Sequence, residues 1–250
     1  MSSTIDNRKT VVTSWDDTSK TDIKLSQMLE KYNIDGTFFV VTNQIGRSVS
    51  KEDISDLAQR FEVGSHSVTH LSLPGTSIEV LNRELCESKR ELEEILDFET
   101  TSFCYPYGNY DNLVVQQVMN AGYRCARTFD PYHFERQSDV FRINVGVWAE
   151  PHGFLYKRGV KNTMNLLSVA ARNDGFFQAT GTLLRIRNWL QLSKKLFDLF
   201  MESGSIFHLV GHAWRIENRN EWKELEEVLS YISDRKGIRY LNVGEYAITP

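Results

Sequence analysis

Short runs rich in β-branched and aromatic residues alternate with longer stretches of helical periodicity along most of the chain. This alternation points to βα units built around a parallel sheet. Strands are predicted at Thr10–Trp15, Thr37–Val41, Phe61–Ser65, Thr101–Tyr105, Tyr123–Thr128, Val140–Val147, Ile206–His212 and Ile238–Leu241. Between them, Ile23, Leu25, Met28 and Leu29 form one apolar helical stripe. A second helix opens at Ser50, whose hydroxyl sits three residues before Asp53. The clearest helix is Ser77–Leu96, with Ile78, Leu81, Leu85, Leu92 and Ile95 on one face and a capping box expected from Thr76 and Glu79. Further helices are expected at Leu113–Asn120 and around Trp222, Leu225, Leu229 and Ile232. From about residue 149 to 204 two helical stretches, Val160–Arg172 and Ile186–Met201, read as an elaboration of a single domain spanning 1–250. The sum is about seven or eight βα units.

With 41% apolar and 25% charged residues over 250 positions, the chain has the balance of a globular protein that buries a packed core. A net charge of -4 without a long basic run argues against nucleic acid as a partner. Cys86, Cys104 and Cys125 are an odd set with no C-x-x-C pair, which fits buried, reduced thiols. Met1–Thr10 carries Asp6, Arg8 and Lys9 and has no apolar run of signal-peptide type. No stretch reaches the roughly 18 to 20 apolar residues of a membrane span, so a cytoplasmic protein is expected.

In parallel α/β folds the working side chains gather where strands end and loops begin. Here Asp16 and Asp17 close the first strand, His66 and His70 follow the third, Pro106–Gly108 follow the fourth, and His212 ends the strand at Ile206. Two imidazoles four residues apart fit within the reach of one small metal ion. Adjacent carboxylates repel each other, and a cation relieves that strain by binding one and orienting the other. Asp17, His66 and His70 are therefore read as ligands of a divalent metal. Zinc suits nitrogen and oxygen donors, with cobalt, nickel or manganese as substitutes.

These residues resemble the polysaccharide deacetylases, also known as carbohydrate esterase family 4 or the NodB-homology domain. The family's Thr-Phe-Asp-Asp-Gly motif is matched by Ser14-Trp15-Asp16-Asp17-Thr18, and its His-Ser/Thr-x-x-His motif by His66-Ser67-Val68-Thr69-His70. Its Arg-x-Pro-x-Gly motif corresponds to Cys104-Tyr105-Pro106-Tyr107-Gly108, and its late strand-closing histidine lies within Ile206–His212. The resemblance implies a distorted (β/α) barrel of about seven parallel strands. It also implies hydrolytic removal of an N-acetyl group from an amino sugar in a glycan or glycan precursor. In that chemistry Asp16 is the general base, the backbone N–H of Tyr107 an oxyanion donor, and a histidine of near-neutral pKa the acid for the departing amine. His212 is the expected acid because it ends its strand; His208, four residues deeper, is the alternative.

Three departures stand out. Thr18 replaces the usual glycine, so its backbone should avoid positive φ. Cys104 replaces the arginine that holds the base carboxylate, and Arg142 is the expected substitute cation. The motif-four aspartate is either Asp130 or Asp139. Rival readings on the same scaffold are a metal-independent ureide amidohydrolase and a sugar-binding module without turnover. A two-histidine, one-carboxylate iron site is disfavoured by the parallel α/β pattern. Oligomeric state is not readable from the sequence.

Overall fold

The computed structural model describes residues 8–149 and 188–249. In chain order the elements are β1 (Lys9–Asp16), α1 (Thr21–Lys31), β2 (Thr37–Val40), α2 (Lys51–Ala58), β3 (Glu62–Ser65), α3 (Ile78–Asn82), α4 (Ser88–Leu96), β4 (Ser102–Cys104), α5 (Asn112–Asn120) and β5 (Cys125–Arg127). They continue with β6 (Val147–Trp148), α6 (Trp189–Ser203), β7 (Ile206–Gly211), α7 (Ala213–Arg219), α8 (Trp222–Ile232), β8 (Ile238–Leu241) and α9 (Val243–Ile248). The helix expected at Val160–Arg172 lies outside the described residues.

All strand pairs are parallel, in the order β5-β4-β3-β2-β1-β7-β6. β1 is the hub. Ser14–Asp16 pair with β2, Lys9–Val12 pair with β8, and Thr10–Trp15 pair with β7 on the other side. Buried on both faces, β1 must satisfy its polar side chains internally. Thr13 Oγ1 donates to the Asp35 carbonyl at 2.8 Å, and Ser14 Oγ meets His208 Nε2 at 2.9 Å.

The sheet curls into a half-barrel, and the stretch expected as a strand at Val140–Val147 is a link between its two ends. Only Val147–Trp148 is strand. Before it, Ile143 bridges to Arg127 on β5, and Gly146 N–H donates to the His208 carbonyl of β7 at 2.9 Å. A Cβ on Gly146 would lie 3.0 Å from both the nitrogen and the oxygen of His208, so a side chain there would push this crossing apart.

Helices cover the sheet with the residues that periodicity selects. Leu25 and Leu29 of α1 are fully buried, as are Leu225, Leu229 and Ile232 of α8. They join Trp15, Phe38, Phe197, Phe200 and Phe207 in the largest core cluster, each burial contributing about 1.5–3 kcal/mol. α6 packs on α8 and on β6 and β7, so the helix expected at Ile186–Met201 shields the sheet itself. Ser50 opens α2 with a full capping box to Asp53. At α3 the cap is Ser77, which accepts from Val80 N–H, while Thr76 Oγ1 donates to the Leu73 carbonyl. α3 and α4 are joined by a π-helical turn, Arg83–Glu87, where periodicity alone predicts plain helix. Cys104 and Cys125 are buried as expected; Cys86 is exposed. No helix among the described residues is long and apolar enough to cross a membrane.

Candidate active site

The C-terminal ends of β1, β3, β4 and β7 meet at one rim, and their loops carry unusual backbone. Four of the nine non-glycine residues with positive φ among the described residues are Asp17 (56°), Ser67 (65°), His70 (59°) and Tyr107 (57°). Such conformations persist where surrounding contacts impose them, and they concentrate at functional sites. Thr18 is not among them. Its backbone N–H and Oγ1 both donate to the Phe39 carbonyl at 3.2 Å, so the strain of the turn falls on Asp17.

Asp17, His66 and His70 come together as the sequence led us to expect. Asp17 Oδ1 lies 3.9 Å from His66 Nε2 and 3.6 Å from His70 Nε2, and one ligand atom from each residue falls within 4.8 Å of the others. Ligands of a tetrahedral ion with bonds of about 2.1 Å stand about 3.4 Å apart, so the set fits a single divalent cation with little movement. The donor chemistry fits as well. His66 Nδ1 lies 2.8 Å from the Cys104 carbonyl, and donating there leaves the Nε2 lone pair facing Asp17. Burial pushes the His66 pKa down to about 4, against the pull of Asp16 and Asp17, so the ring is neutral, as a ligand must be.

The loop bearing His70 is held from below. Ser67 Oγ accepts the His70 N–H at 3.0 Å. Thr69 N–H and Oγ1 donate to the two oxygens of Glu84, which the π-helical turn carries into the interior. His212 closes the other side, its Nε2 3.6 Å from Asp17 Oδ2 and its ring parallel to Trp148 at 6.0 Å. An open cavity of about 370 Å³ adjoins the cluster, lined by Asp17, Thr18, Gln44, Ser48, His70 and Trp214 among others. Tyr107 stands exposed at the rim, with its ring edge-on to His70.

Asp16 is fully buried and paired with Arg127, also fully buried. Burial opposes its charge most, but Arg127, then His66 and His212, outweigh burial and hold the carboxyl below its ordinary pKa. The expected cation, Arg142, is elsewhere. It pairs with Asp139 and donates to Asn112 Oδ1 at 2.9 Å, on a partly exposed loop. Asp139 is thereby engaged with Arg142. Arg127 escaped the sequence reading, although an arginine two residues from Cys125 within a buried strand is a signal that an interior carboxylate awaits it. His208 lies beneath the rim, wholly buried between Ser14 and the Asn144 carbonyl. Burial first, and Arg127 second, lower its pKa to about 3.

Comparison with known proteins bears on this constellation. The sequence model of the polysaccharide deacetylase family matches residues 4–126. The Bacillus subtilis protein YxkH, named for that family, is 25% identical over 120 residues, which cover 47% of this chain and 43% of the relative. The chain thus aligns with less than half the length of that curated relative. Among solved structures, a Mycobacterium smegmatis protein named for the same family superposes over 96% of this chain and 89% of its own, with a TM-score of 0.67 at 15% identity. A family 4 carbohydrate esterase from Bacillus anthracis superposes over 98% of this chain and 85% of its own, with a TM-score of 0.57 at 15% identity. These likenesses establish the distorted (β/α) barrel. The matched residues 4–126, just under half of the chain, contain both the Asp16-Asp17 and the His66–His70 motifs and are similar to the polysaccharide deacetylase family.

Proposed function

We propose that this protein is a metal-dependent hydrolase that removes the N-acetyl group from an amino sugar. The observation that carries the reading is the convergence of Asp17 Oδ1, His66 Nε2 and His70 Nε2 on one point, with His212 on the opposite oxygen of Asp17. Asp17, His66 and His70 would hold a divalent ion, zinc by donor type. When bound, the ion supplies a Lewis acid that polarises an amide carbonyl and makes water acidic.

The remaining roles fall to the chain. Asp16 Oδ1 is held by Arg127, while Oδ2 is buried without a hydrogen-bond partner, which suits a base that takes a proton from the attacking water. Tyr107 lies at the turn after β4, where its backbone N–H is the donor for the developing oxyanion. His212 gives the departing amine its proton. The neutral hydroxyls and amide of Thr18, Ser19, Gln44 and Ser48, with Trp214, suit a polyhydroxylated sugar.

The test pairs metal content with product. Purified protein should hold about one zinc per chain, and Asp17→Asn should hold none. Acetate should be released from N-acetylglucosamine oligomers or nucleotide-linked N-acetyl sugars by the wild type alone. Folded wild type that takes up no zinc or cobalt and releases no acetate would overturn the proposal.

A further inference from the structure

In the family motif an arginine stands at the position of Cys104, yet a guanidinium reaches Asp16 all the same. It comes from the neighbouring strand. β4 and β5 pair in parallel with Cys104 opposite Arg127, so both side chains leave the same face of the sheet from backbones about 4.8 Å apart. The small thiol leaves room for the longer side chain to cross. An Arg127 terminal nitrogen donates to Cys104 Sγ at 2.9 Å and pairs with Asp16 Oδ1.

The seat for this guanidinium is built. Its central carbon lies 5.2 Å from the centre of the Phe39 ring and 4.8 Å from that of Phe129, and its other terminal nitrogen donates to the Thr128 carbonyl at 3.2 Å. Asp16, Cys104 and Arg127 are all inaccessible to solvent, so no bulk water takes over if one partner is lost. The orientation of the Asp16 carboxylate therefore depends on this pair.

We infer that Arg127 is the positioning residue for Asp16 and Cys104 its spacer: the arginine has been transposed to the facing position of the next strand. The two positions are then exchangeable together but not singly. The kinetic consequence rests on the proposed role of Asp16; the packing consequence does not.

Three variants test the inference: Arg127→Met, Cys104→Arg, and the exchange combining Cys104→Arg with Arg127→Cys. Each single variant should melt well below the wild type or fail to fold, because one strands a buried carboxylate and the other crowds two guanidinium groups into one seat. The exchanged chain should fold and melt closer to the wild type than either. On N-acetylglucosamine oligomers it should keep kcat within about tenfold of the wild type at unchanged KM. Folded Arg127→Met, or Arg127→Lys where the former does not fold, should lose kcat by about 100-fold. An exchanged chain no more stable than the single variants overturns the transposition. One as stable as the wild type but as slow as Arg127→Met overturns the positioning role. Inactivity of the wild type itself would instead strike the deacetylase reading and leave the melting comparison to decide the transposition.

Discussion

Glu84 uses both carboxylate oxygens on Thr69, accepting its backbone N–H at 2.8 Å and its hydroxyl at 2.9 Å. Thr69 immediately precedes His70, so a residue in a helix fixes the loop that presents a metal-ligand candidate. The π-helical turn makes this possible, because its extra residue rotates Glu84 inward while Leu81 and Leu85 stay in the core. Glu84→Ala should remove both hydrogen bonds, and because Thr69 itself is exposed and water can take over its donors, the cost should be about 0.5–1.5 kcal/mol for each bond. Zinc affinity, read by competition titration, should fall about 10–100-fold, as is usual when the support of a ligand is removed. An unchanged affinity in a folded variant would show that the loop keeps its shape without Glu84.

His212 touches the opposite oxygen of Asp17 from the one that faces His66 and His70. In the proposed reaction His212 is a proton donor that does not hold the ion. For His212→Gln we expect kcat about 100-fold to 10,000-fold lower, with zinc content and KM close to the wild type. Loss of zinc in this variant would instead make His212 a fourth ligand.

Much of this is legible in the sequence, and the reasons are physical. β8 at Ile238–Leu241 and the Ser50 cap of α2 follow from local signals, periodicity and a side chain bonding three residues on. That Asp17, His66 and His70 gather at one rim was legible because all three follow strand ends and the histidines are spaced four apart. Arg127 was not, because its partner lies 111 residues away and the register of β4 on β5 sets the approach. Nor was the link at 140–148, where an apolar run reads as a strand although most of its backbone bridges two distant edges. Glu84 was hidden by the regular stripe of Leu81, Leu85 and Leu92, which a single inserted residue does not visibly interrupt.

His208 should make stability depend on pH. Burial and Arg127 lower its folded pKa to about 3, whereas in the unfolded chain it titrates near 6.5. Above that value neither state carries the proton and stability is complete. As pH falls the unfolded chain binds a proton that the folded chain refuses, so stability declines by up to about 1.4 kcal/mol per pH unit. Asp22 acts in the opposite sense. Burial raises its pKa to about 7, so its contribution declines as pH rises toward that value. The difference between wild type and His208→Gln isolates the histidine. Urea midpoints should place the variant furthest below the wild type at about pH 7.5, with the gap closing toward about pH 4.5. A gap that does not change with pH would mean that His208 is not held neutral.

Gly108 links the rim to the barrel wall. Its φ is +67°, and a Cβ added there would lie 2.4 Å from Phe129 Cβ and 3.0 Å from the Phe129 backbone nitrogen. Phe129 also stacks against the Arg127 guanidinium and meets Trp148 edge-on at 4.9 Å, so moving it disturbs both contacts. Gly108→Ala must therefore shift the turn that carries Tyr107, as well as adopt a backbone that costs alanine more than about 1 kcal/mol. Because Asp17, His66 and His70 stand on other loops, zinc affinity should hold while kcat falls at least tenfold through the displaced Tyr107 N–H. A variant that melts lower but turns over at the wild-type rate would separate Tyr107 from the chemistry and leave Gly108 with a packing role alone.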